Sequence, residues 1–236
     1  MSDDLIVDRD GDVIRITINR PDDANRTTEA MLAKLGEALS DEARLIVLRG
    51  AGHTFSSGLA GRSKPPNEAY EFRAGFDPLF KLHETFHRCH APILAVVEGT
   101  AIGFGATLVA ASDIVIAADD ARFCLPETAH KILPTTAMAR MIGTVSDKAL
   151  AYMALSAEEF GAKDAIAAGL VSLVLPAAAL DAHVEGLIAK IKRIPKPAVY
   201  AVKEFIRAGK NLPRESLDAL AANLHATVNS YSGMHT

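Results

Sequence analysis

The apolar segment GTAIGFGATLVAASDIVIA, residues 99–117, carries the clearest indication of the fold of this chain. It is long and apolar enough to suggest a membrane helix, but Gly99, Gly103 and Gly105 interrupt it, and glycine weakens helices and strands. Glu98, directly before it, would cost about 2.5–3.5 kcal/mol in hydrocarbon. We therefore expect no membrane span and interpret the segment as part of a globular domain in which the glycines expose bare backbone.

The composition is that of a globular protein with a large core. Hydrophobic residues make up 49% of the 236 residues and charged residues 23%, which fits one sizeable domain. A net charge of -4 leaves no broad basic surface, so nucleic acid is not an expected partner. Cys89 and Cys124 lack metal-ligand spacing and are expected to be buried thiols in a reducing compartment. Since the N-terminus has no signal-peptide pattern, we expect a cytoplasmic protein.

The apolar segments follow one another in the pattern of an α/β domain. LIV and VIRITIN, on either side of DRDGD, predict an N-terminal hairpin, and a helix is expected from about Thr27. RLIVLRG and PILAVVEG predict two buried strands, because each is short, rich in branched residues and closed by glycine. Between them we expect a long loop at residues 51–75 and a helix at about Leu79–His90.

The second half is predicted to be mostly helical from about Ala137 onward. We divide the chain into a core at residues 1–180 and a helical region at residues 181–236 that covers the core or mediates assembly. An oligomer is predicted because an apolar face of the last helix needs a surface to cover it. That face is formed by Leu217, Leu220 and Leu224.

Two glycine-containing loops follow the buried strands. They are HTFSSGLAG at residues 53–61 and EGTAIGFGAT at residues 98–107. Small residues in such loops let backbone N–H groups point into a cavity, as an oxyanion hole requires. Either loop alone is more often a tight turn, and neither matches the phosphate-binding patterns GxxxxGKS/T and GxGxxG.

The order of four segments resembles the crotonase superfamily, also called the enoyl-CoA hydratase/isomerase family. The segments are ITINRPDDAN, LRGAGHTFSSGLAGR, PILAVVEGTAIGFGATLVAASDIVIAADDARFCLPE and AKDAIAAGLVSLVLP, and the resemblance covers nearly the whole chain. It implies a crotonase-like spiral core of ββα units followed by a C-terminal helical region. It also implies an acyl-CoA substrate, no tightly bound cofactor beyond the coenzyme A of that substrate, and assembly as a homotrimer or hexamer.

The resemblance implies where the substrate carbonyl binds. The backbone N–H groups of Leu59 and Phe104 would hold the thioester oxygen while an enolate forms. Gly58, Gly103 and Gly105 would let the backbone reach the substrate.

One acid–base position of the family is kept and another is lost. Glu127, in CLPETAHKILP, matches the later of two glutamates that family hydratases use, whereas Thr107 stands at the earlier position. A 1,3-proton shift needs only one base, which slightly favours double-bond isomerisation over hydration. Glu127 is otherwise explained as a glutamate that follows proline at a helix N-terminus. TTAM at residues 135–138 and Ala60 are further departures from the family pattern.

Two other functions stay open at this point. A member of the same superfamily that hydrolyses the C–C bond of a β-diketone would use Glu127, assisted by His130. A catalytically silent homologue would bind CoA without turnover, which the altered loops permit.

Several basic residues are candidates for contact with the phosphates of coenzyme A. Arg26, Arg62 and Lys64 lie near the first loop in sequence, and Arg62 matches a frequently basic family position. Lys203, in PAVYAVKEF, matches a lysine on the family's C-terminal helix. Each of them is alternatively an ordinary solvated charge.

HETFH at residues 83–87 matches the zinc pattern HExxH, with Glu84 as the base and His90 further along the helix. An apolar stripe runs beside these histidines. In the alternative interpretation, the histidines lie at the border of that stripe on an amphipathic helix and bind no metal. The stripe consists of Leu79, Leu82, Phe86 and Cys89. We expect no metal, because the longer metalloprotease pattern is missing and the helix precedes a family strand.

Overall fold

The computed structural model describes residues 3–61 and 68–230. Its strands are β1 (Leu5–Asp10), β2 (Val13–Ile18), β3 (Leu45–Gly50), β4 (Thr54–Ser56), β5 (Ile93–Val97), β6 (Thr100–Ile102), β7 (Ile114–Ala118), β8 (Arg122–Cys124), β9 (Phe160–Gly161) and β10 (Leu173–Leu175). Its α-helices are α1 (Glu29–Ser40), α2 (Ala69–Ala74), α3 (Asp77–Arg88), α4 (Phe104–Ala111), α5 (Thr135–Met141), α6 (Asp147–Ser156), α7 (Ala162–Ala168), α8 (Ala177–Lys192), α9 (Lys196–Gly209) and α10 (Arg214–Asn229).

The strands of the described residues form two sheets. One has six strands in the order β1-β2-β3-β5-β7-β10, and the other has four in the order β4-β6-β8-β9. β1 and β2 are antiparallel, and Gly11 at a φ of +63° forms the turn between them. This confirms the predicted N-terminal hairpin. β2, β3, β5, β7 and β10 then run parallel to one another in the large sheet.

The chain passes repeatedly from the large sheet to the small one. β3, β5 and β7 lie side by side in the large sheet, and each is followed by a short strand of the small sheet, namely β4, β6 or β8. Helical segments return the chain to the next strand of the large sheet. The predicted α/β class with a spiral of ββα units is therefore confirmed, and so is a helical C-terminal part.

Helix α1 begins where a threonine caps it. The Thr28 hydroxyl accepts a hydrogen bond from the Met31 N–H at 3.3 Å, which satisfies one of the free amides of the first turn. The helix buries one face against the sheet and α3. The buried residues of that face are Met31, Leu32, Leu35, Ala38 and Leu39.

Both faces of the large sheet are buried, because successive side chains of a strand point to opposite faces. Ile14, Ile46 and Ile93 face the cluster that includes α1, α3 and α4. The side chains that point to the other face of the sheet pack on α8. The buried residues of α8 are Leu180, Val184, Ile188 and Ile191. Since α8 shares a core with the sheet, the predicted boundary between residues 180 and 181 falls inside a helix of that core.

Two boundary predictions are wrong. The long loop expected at residues 51–75 contains β4 and α2, and the helix expected to reach His90 ends at Arg88. A strand of three residues shows too little alternation to be recognised from sequence. Within the described part of the chain, no helix is both long and apolar enough to cross a membrane.

Candidate active site

The first loop is fixed by Thr27, which forms a parallel bridge with Leu59. The Thr27 N–H donates to the Gly58 carbonyl at 2.8 Å, and the Ala60 N–H donates to the Thr27 carbonyl at 2.9 Å. In a parallel bridge of this kind, Thr27 is bonded to Gly58 and to Ala60, and the N–H of Leu59 between them points to the opposite side of the loop. The Leu59 amide therefore faces away from Thr27, and it has no backbone acceptor among the described residues.

The second loop ends at Gly103, which is the N-cap of α4. Gly103 has a φ of 56° and a ψ of -115°, a conformation that favours glycine, and its N–H donates to the Cys124 carbonyl at 2.9 Å. Phe104 is the first residue of α4, so its amide has no partner inside the helix. This amide also lies at the positive end of the helix dipole.

The two loops meet where these amides lie. A Cβ atom placed on Gly58 would be 3.5 Å from the Ile102 carbonyl oxygen and 3.9 Å from the Phe104 backbone nitrogen. Gly58 also has a φ of +113°, which a residue with a side chain rarely adopts. Because Leu59 follows Gly58 directly, its amide and that of Phe104 are neighbours in space. Two adjacent free amides suit a single oxygen that gains negative charge.

Gly105 serves close packing between the layers. A Cβ atom placed on it would lie 2.2 Å from the Ser56 carbonyl oxygen, so the first turn of α4 rests directly on β4. The sequence interpretation assigned Gly105 to substrate binding, whereas its observed contact is with the protein backbone.

Glu127 lies beside the second loop, in a 3-10 turn at Pro126–His130. Its Oε1 atom would be 3.3 Å from a Cβ atom placed on Gly103, the residue before Phe104. Its Oε2 atom is buried and has no hydrogen-bond partner among the residues that the structure describes. Burial raises the pKa of this carboxyl above its ordinary value, against the opposing effects of its own backbone N–H and of His130. A partly desolvated carboxylate with one oxygen free of hydrogen bonds is ready to accept a proton.

Thr107 lies one turn further along α4 and is 3% exposed. Its hydroxyl donates to the Gly103 carbonyl at 3.2 Å. The position at which family hydratases carry a first glutamate therefore holds a buried hydroxyl that is bonded to its own helix. Glu127 has no second carboxylate at that position to work with.

Comparison with known proteins decides the family. The family model described as Enoyl-CoA hydratase/isomerase matches residues 8–235. The chain belongs to the enoyl-CoA hydratase/isomerase family. This confirms the predicted family and the predicted class of enzyme, one that acts on CoA thioesters.

Individual relatives agree with this membership. The Rhodobacter capsulatus protein named "Probable enoyl-CoA hydratase" is 35% identical over 219 residues, which span 89% of this chain and 83% of that protein. The crystal structure of enoyl-CoA hydratase from Mycobacterium smegmatis has a TM-score of 0.89 at 32% identity and covers 98% of this chain and 92% of its own. A Thermobifida fusca protein of the enoyl-CoA hydratase type, solved in complex with acetoacetyl-CoA, has a TM-score of 0.84 at 27% identity, over 96% and 94% of the two chains.

Sequence reasoning missed Asn25, whose hydrogen bonds hold the start of the first loop in place. Asn25 lies in the polar segment RPDDANR, yet its side chain is fully buried. Its Oδ1 accepts from the Arg20 N–H at 2.8 Å, and its Nδ2 donates to the Ala51 carbonyl at 2.9 Å and to the Thr54 carbonyl. The Ser56 hydroxyl in turn donates to the Asn25 carbonyl at 2.9 Å. The available signal was an asparagine in a turn, since Asn25 has a φ of 54°.

The basic residues predicted to bind coenzyme A do not form one cluster. Arg26 pairs with Asp23. The Lys203 ammonium is 2.8 Å from Asp113 and bonded to the Ala91 carbonyl, with 9% of the side chain exposed. Both partners precede parallel strands of the large sheet, whereas the two loops follow such strands, so Lys203 lies at the opposite end of the sheet. Arg62 and Lys64 fall outside the described residues.

The HExxH segment does not form the arrangement that a zinc site needs. His83 is buried, whereas His87 is exposed and Glu84 is exposed and paired with Arg88. In the part of the chain that the structure describes, no three His, Cys, Asp or Glu side chains are grouped so that they could hold a metal ion.

Proposed function

We propose that the protein isomerises a double bond in an enoyl-CoA thioester. The thioester oxygen would accept hydrogen bonds from the Leu59 and Phe104 amides, which lie next to each other and have no backbone acceptor in the part of the chain that the structure describes. Removing one such donor from an oxyanion hole typically raises a barrier by about 2.7–4 kcal/mol. The observation that carries the proposal is the carboxylate of Glu127 beside these amides, whose Oε2 atom is buried and has no hydrogen-bond partner among the described residues.

Glu127 acts as the single proton carrier in this proposal. It removes a proton from carbon 2 of a 3-enoyl thioester, and the electron pair of the broken C–H bond delocalises onto the thioester oxygen. Glu127 then returns the proton to carbon 4, which leaves the double bond between carbons 2 and 3. The proton and the electron pair both stay within the complex, so no second reactant is needed.

Thr107 supports isomerisation rather than hydration. Addition of water is usually aided by two groups that orient and activate it, and family hydratases supply two glutamates. The Thr107 hydroxyl is committed to the Gly103 carbonyl, and a neutral hydroxyl is a weak base at neutral pH. Under the proposal, hydration is therefore the slower reaction at this site.

We also propose a homotrimer or hexamer in the cytoplasm. No side chain of α10 is buried in the single chain, and α9 leaves Val202 and Ile206 more than half exposed. Leu133, Ile142 and Leu155 are exposed by 71%, 66% and 80%. Apolar side chains this exposed are typical of an assembly surface.

A panel of acyl-CoA thioesters tests the reaction. The protein is incubated with 2-enoyl and 3-enoyl thioesters of several chain lengths, and the products are followed by liquid chromatography and mass spectrometry. Isomerisation changes the retention time without changing the mass, whereas hydration adds the mass of one water. We expect isomerisation of the 3-enoyl thioesters and little hydration. Hydration as the main product would overturn the proposal.

Two further outcomes identify the alternatives. Cleavage of a β-diketone with weak CoA binding would favour the C–C hydrolase, for which the supporting observation is that His130 is near enough to Glu127 to lower the pKa of its carboxyl. CoA binding without turnover on any thioester would favour a silent homologue.

A further inference from the structure

The Ser56 side chain is fully buried and joins two segments of the chain, although the proposed reaction does not use it. Its hydroxyl donates to the Asn25 carbonyl at 2.9 Å and accepts from the Gly58 N–H at 3.3 Å. The backbone of Ser56 is just as close to α4, because a Cβ atom placed on Gly105 would lie 2.2 Å from its carbonyl oxygen. Ser56 therefore lies where the first loop, the segment of Asn25 and the start of α4 meet.

Gly58 is the residue whose conformation directs the Leu59 amide. The Gly58 carbonyl and the Leu59 N–H belong to one planar trans peptide group, so the two point in opposite directions. Gly58 has a φ of +113°, and glycine moves more freely through such conformations than any other residue. The Leu59 amide would therefore be free to turn away from a ligand unless the peptide groups on both sides of Gly58 are fixed.

Hydrogen bonds fix both of these peptide groups. The Gly58 carbonyl accepts from the Thr27 N–H at 2.8 Å, and the Gly58 N–H donates to the Ser56 hydroxyl. The first bond comes from the backbone, so any residue except proline at position 27 could make it. The second comes from a side chain, so it depends on which residue stands at position 56. An oxyanion hole stabilises charge through donors that are in place before the charge develops, so the side-chain bond matters for the reaction.

We infer that Ser56 is a positioning residue of the oxyanion hole, whose hydroxyl holds Gly58 so that the Leu59 amide points at the thioester oxygen. This rests on the proposed function, in which the Leu59 amide binds that oxygen. Ser57 supplies a natural comparison, because its hydroxyl donates to the Ala24 carbonyl at 2.9 Å and so joins the same two segments. The Gly58 N–H donates to the Ser56 hydroxyl and leaves that of Ser57 uninvolved.

Infrared spectroscopy of a bound thioester tests this without turnover. The ligand is a saturated acyl-CoA with carbon-13 at the thioester carbonyl, of the chain length that binds most tightly in calorimetry. Hydrogen bonds to the carbonyl oxygen polarise the C=O bond and lower its stretching frequency. Wild-type protein should lower this frequency relative to the ligand in water. Ser56→Ala should lose part of that shift, whereas the matched control Ser57→Ala should keep all of it.

Steady-state kinetics measure the same effect during the reaction. Removing an oxyanion donor typically lowers kcat by about 10²–10³-fold, and a misdirected donor should lose part of that. We expect kcat of Ser56→Ala on a 3-enoyl thioester to fall at least about tenfold with KM within about threefold of wild type, because the bond is strongest in the transition state. Ser57→Ala should stay within about twofold in both. Ser56→Cys, whose thiol is a weaker donor and acceptor, should lose at least about threefold in kcat.

The outcomes separate a positioning role from a purely structural one. A Ser56→Ala protein with a lower melting temperature but with the wild-type carbonyl band and kcat would overturn the inference. If Ser56→Ala does not fold, a folded Ser56→Cys protein with the wild-type band and kcat would overturn it equally. A carbonyl band in wild-type protein that matches the ligand in water would refute the oxyanion hole, and with it the proposed function. A shifted band without isomerisation would refute the proposed reaction alone, and loss of that shift in Ser56→Ala would still support the positioning role.

Discussion

Replacing Glu127 with glutamine removes the proposed base and keeps its shape. A general base typically contributes about 10²–10⁴-fold, which corresponds to about 2.7–5.4 kcal/mol of barrier. Because Oε2 has no hydrogen-bond partner within residues 3–61 and 68–230, the change breaks no hydrogen bond of that atom with these residues. We therefore expect turnover of a 3-enoyl thioester to fall at least about a hundredfold, with little change in substrate affinity.

The same variant should be more stable than wild type at neutral pH. Burial raises the pKa of Glu127 in the folded state above its ordinary value of 4.5, so ionisation there costs stability once the pH exceeds 4.5. Glutamine never ionises and avoids that cost. The gain in melting temperature should be present at pH 7 and should disappear as the pH falls below 4.5, where the carboxyl is protonated in both states.

These two effects separate catalysis from a helix-terminal role. A glutamate that only stabilises a helix end is worth about 0.3–1 kcal/mol, and its loss would lower the melting temperature and spare turnover. Steady-state kinetics and thermal melts at pH 4 and pH 7 measure both quantities, with Glu37→Gln, an exposed position on α1, as the control. Turnover within about threefold of wild type, together with a lower melting temperature at pH 7, would refute the assignment of Glu127 as the base.

Changes at four further positions test the architecture and the reaction. Gly105→Ala places a Cβ atom 2.2 Å from the Ser56 carbonyl oxygen and should cost about 1–3 kcal/mol or more in urea unfolding. Gly186→Ala, in α8 with open space around it, should instead gain about 0.5–1 kcal/mol. Asn25→Ala leaves buried backbone groups unpaired and should cost about 2–4 kcal/mol in the same assay. Thr107→Glu should introduce hydration product in the thioester panel, whereas Thr107→Gln should not; absence of product from a folded Thr107→Glu protein would contradict the one-carboxylate argument.

Local sequence patterns predicted the parts of the fold that depend on neighbouring residues. The alternation in VIRITI and the unbroken apolar runs LIVL and ILAVV fix which residues are buried, and each became a strand of the large sheet. The start of α1 was expected at about Thr27 and lies at Glu29, with Thr28 as its cap, because a threonine cap is a local interaction. The family resemblance then indicated that the two loops belong to one site, which no local pattern specifies.

The features that the sequence did not predict depend on contacts with residues that are distant in sequence. Asn25 looks like a turn residue until the carbonyls of Ala51 and Thr54 come within reach of its amide. Lys203 matched a family position, but its ammonium is fixed by Asp113, ninety residues away in sequence. His83 belongs to a local zinc pattern, and only the packing of α3 shows that it is buried while His87 is exposed.

The glycines of residues 99–117 have distinct structural tasks. Gly99, at a φ of +61°, lets the chain pass the His53 carbonyl, since a Cβ atom there would lie 2.1 Å from that oxygen. Gly105 permits the same approach between α4 and β4, and Gly103 gives the turn that starts α4. Gly99 and Gly105 therefore bring the second loop into contact with the first. Gly103 has a different role, because its carbonyl carbon is bonded to the Phe104 nitrogen, which is proposed to bind substrate. Gly99 and Gly105 thus indicate that two successive turns of the spiral pack closely. It is this packing that makes the Phe104 amide a neighbour of Leu59. We therefore expect a methyl group at Gly99 or Gly105 to separate the two proposed donors, although it would contact other backbone atoms, those of His53 or Ser56.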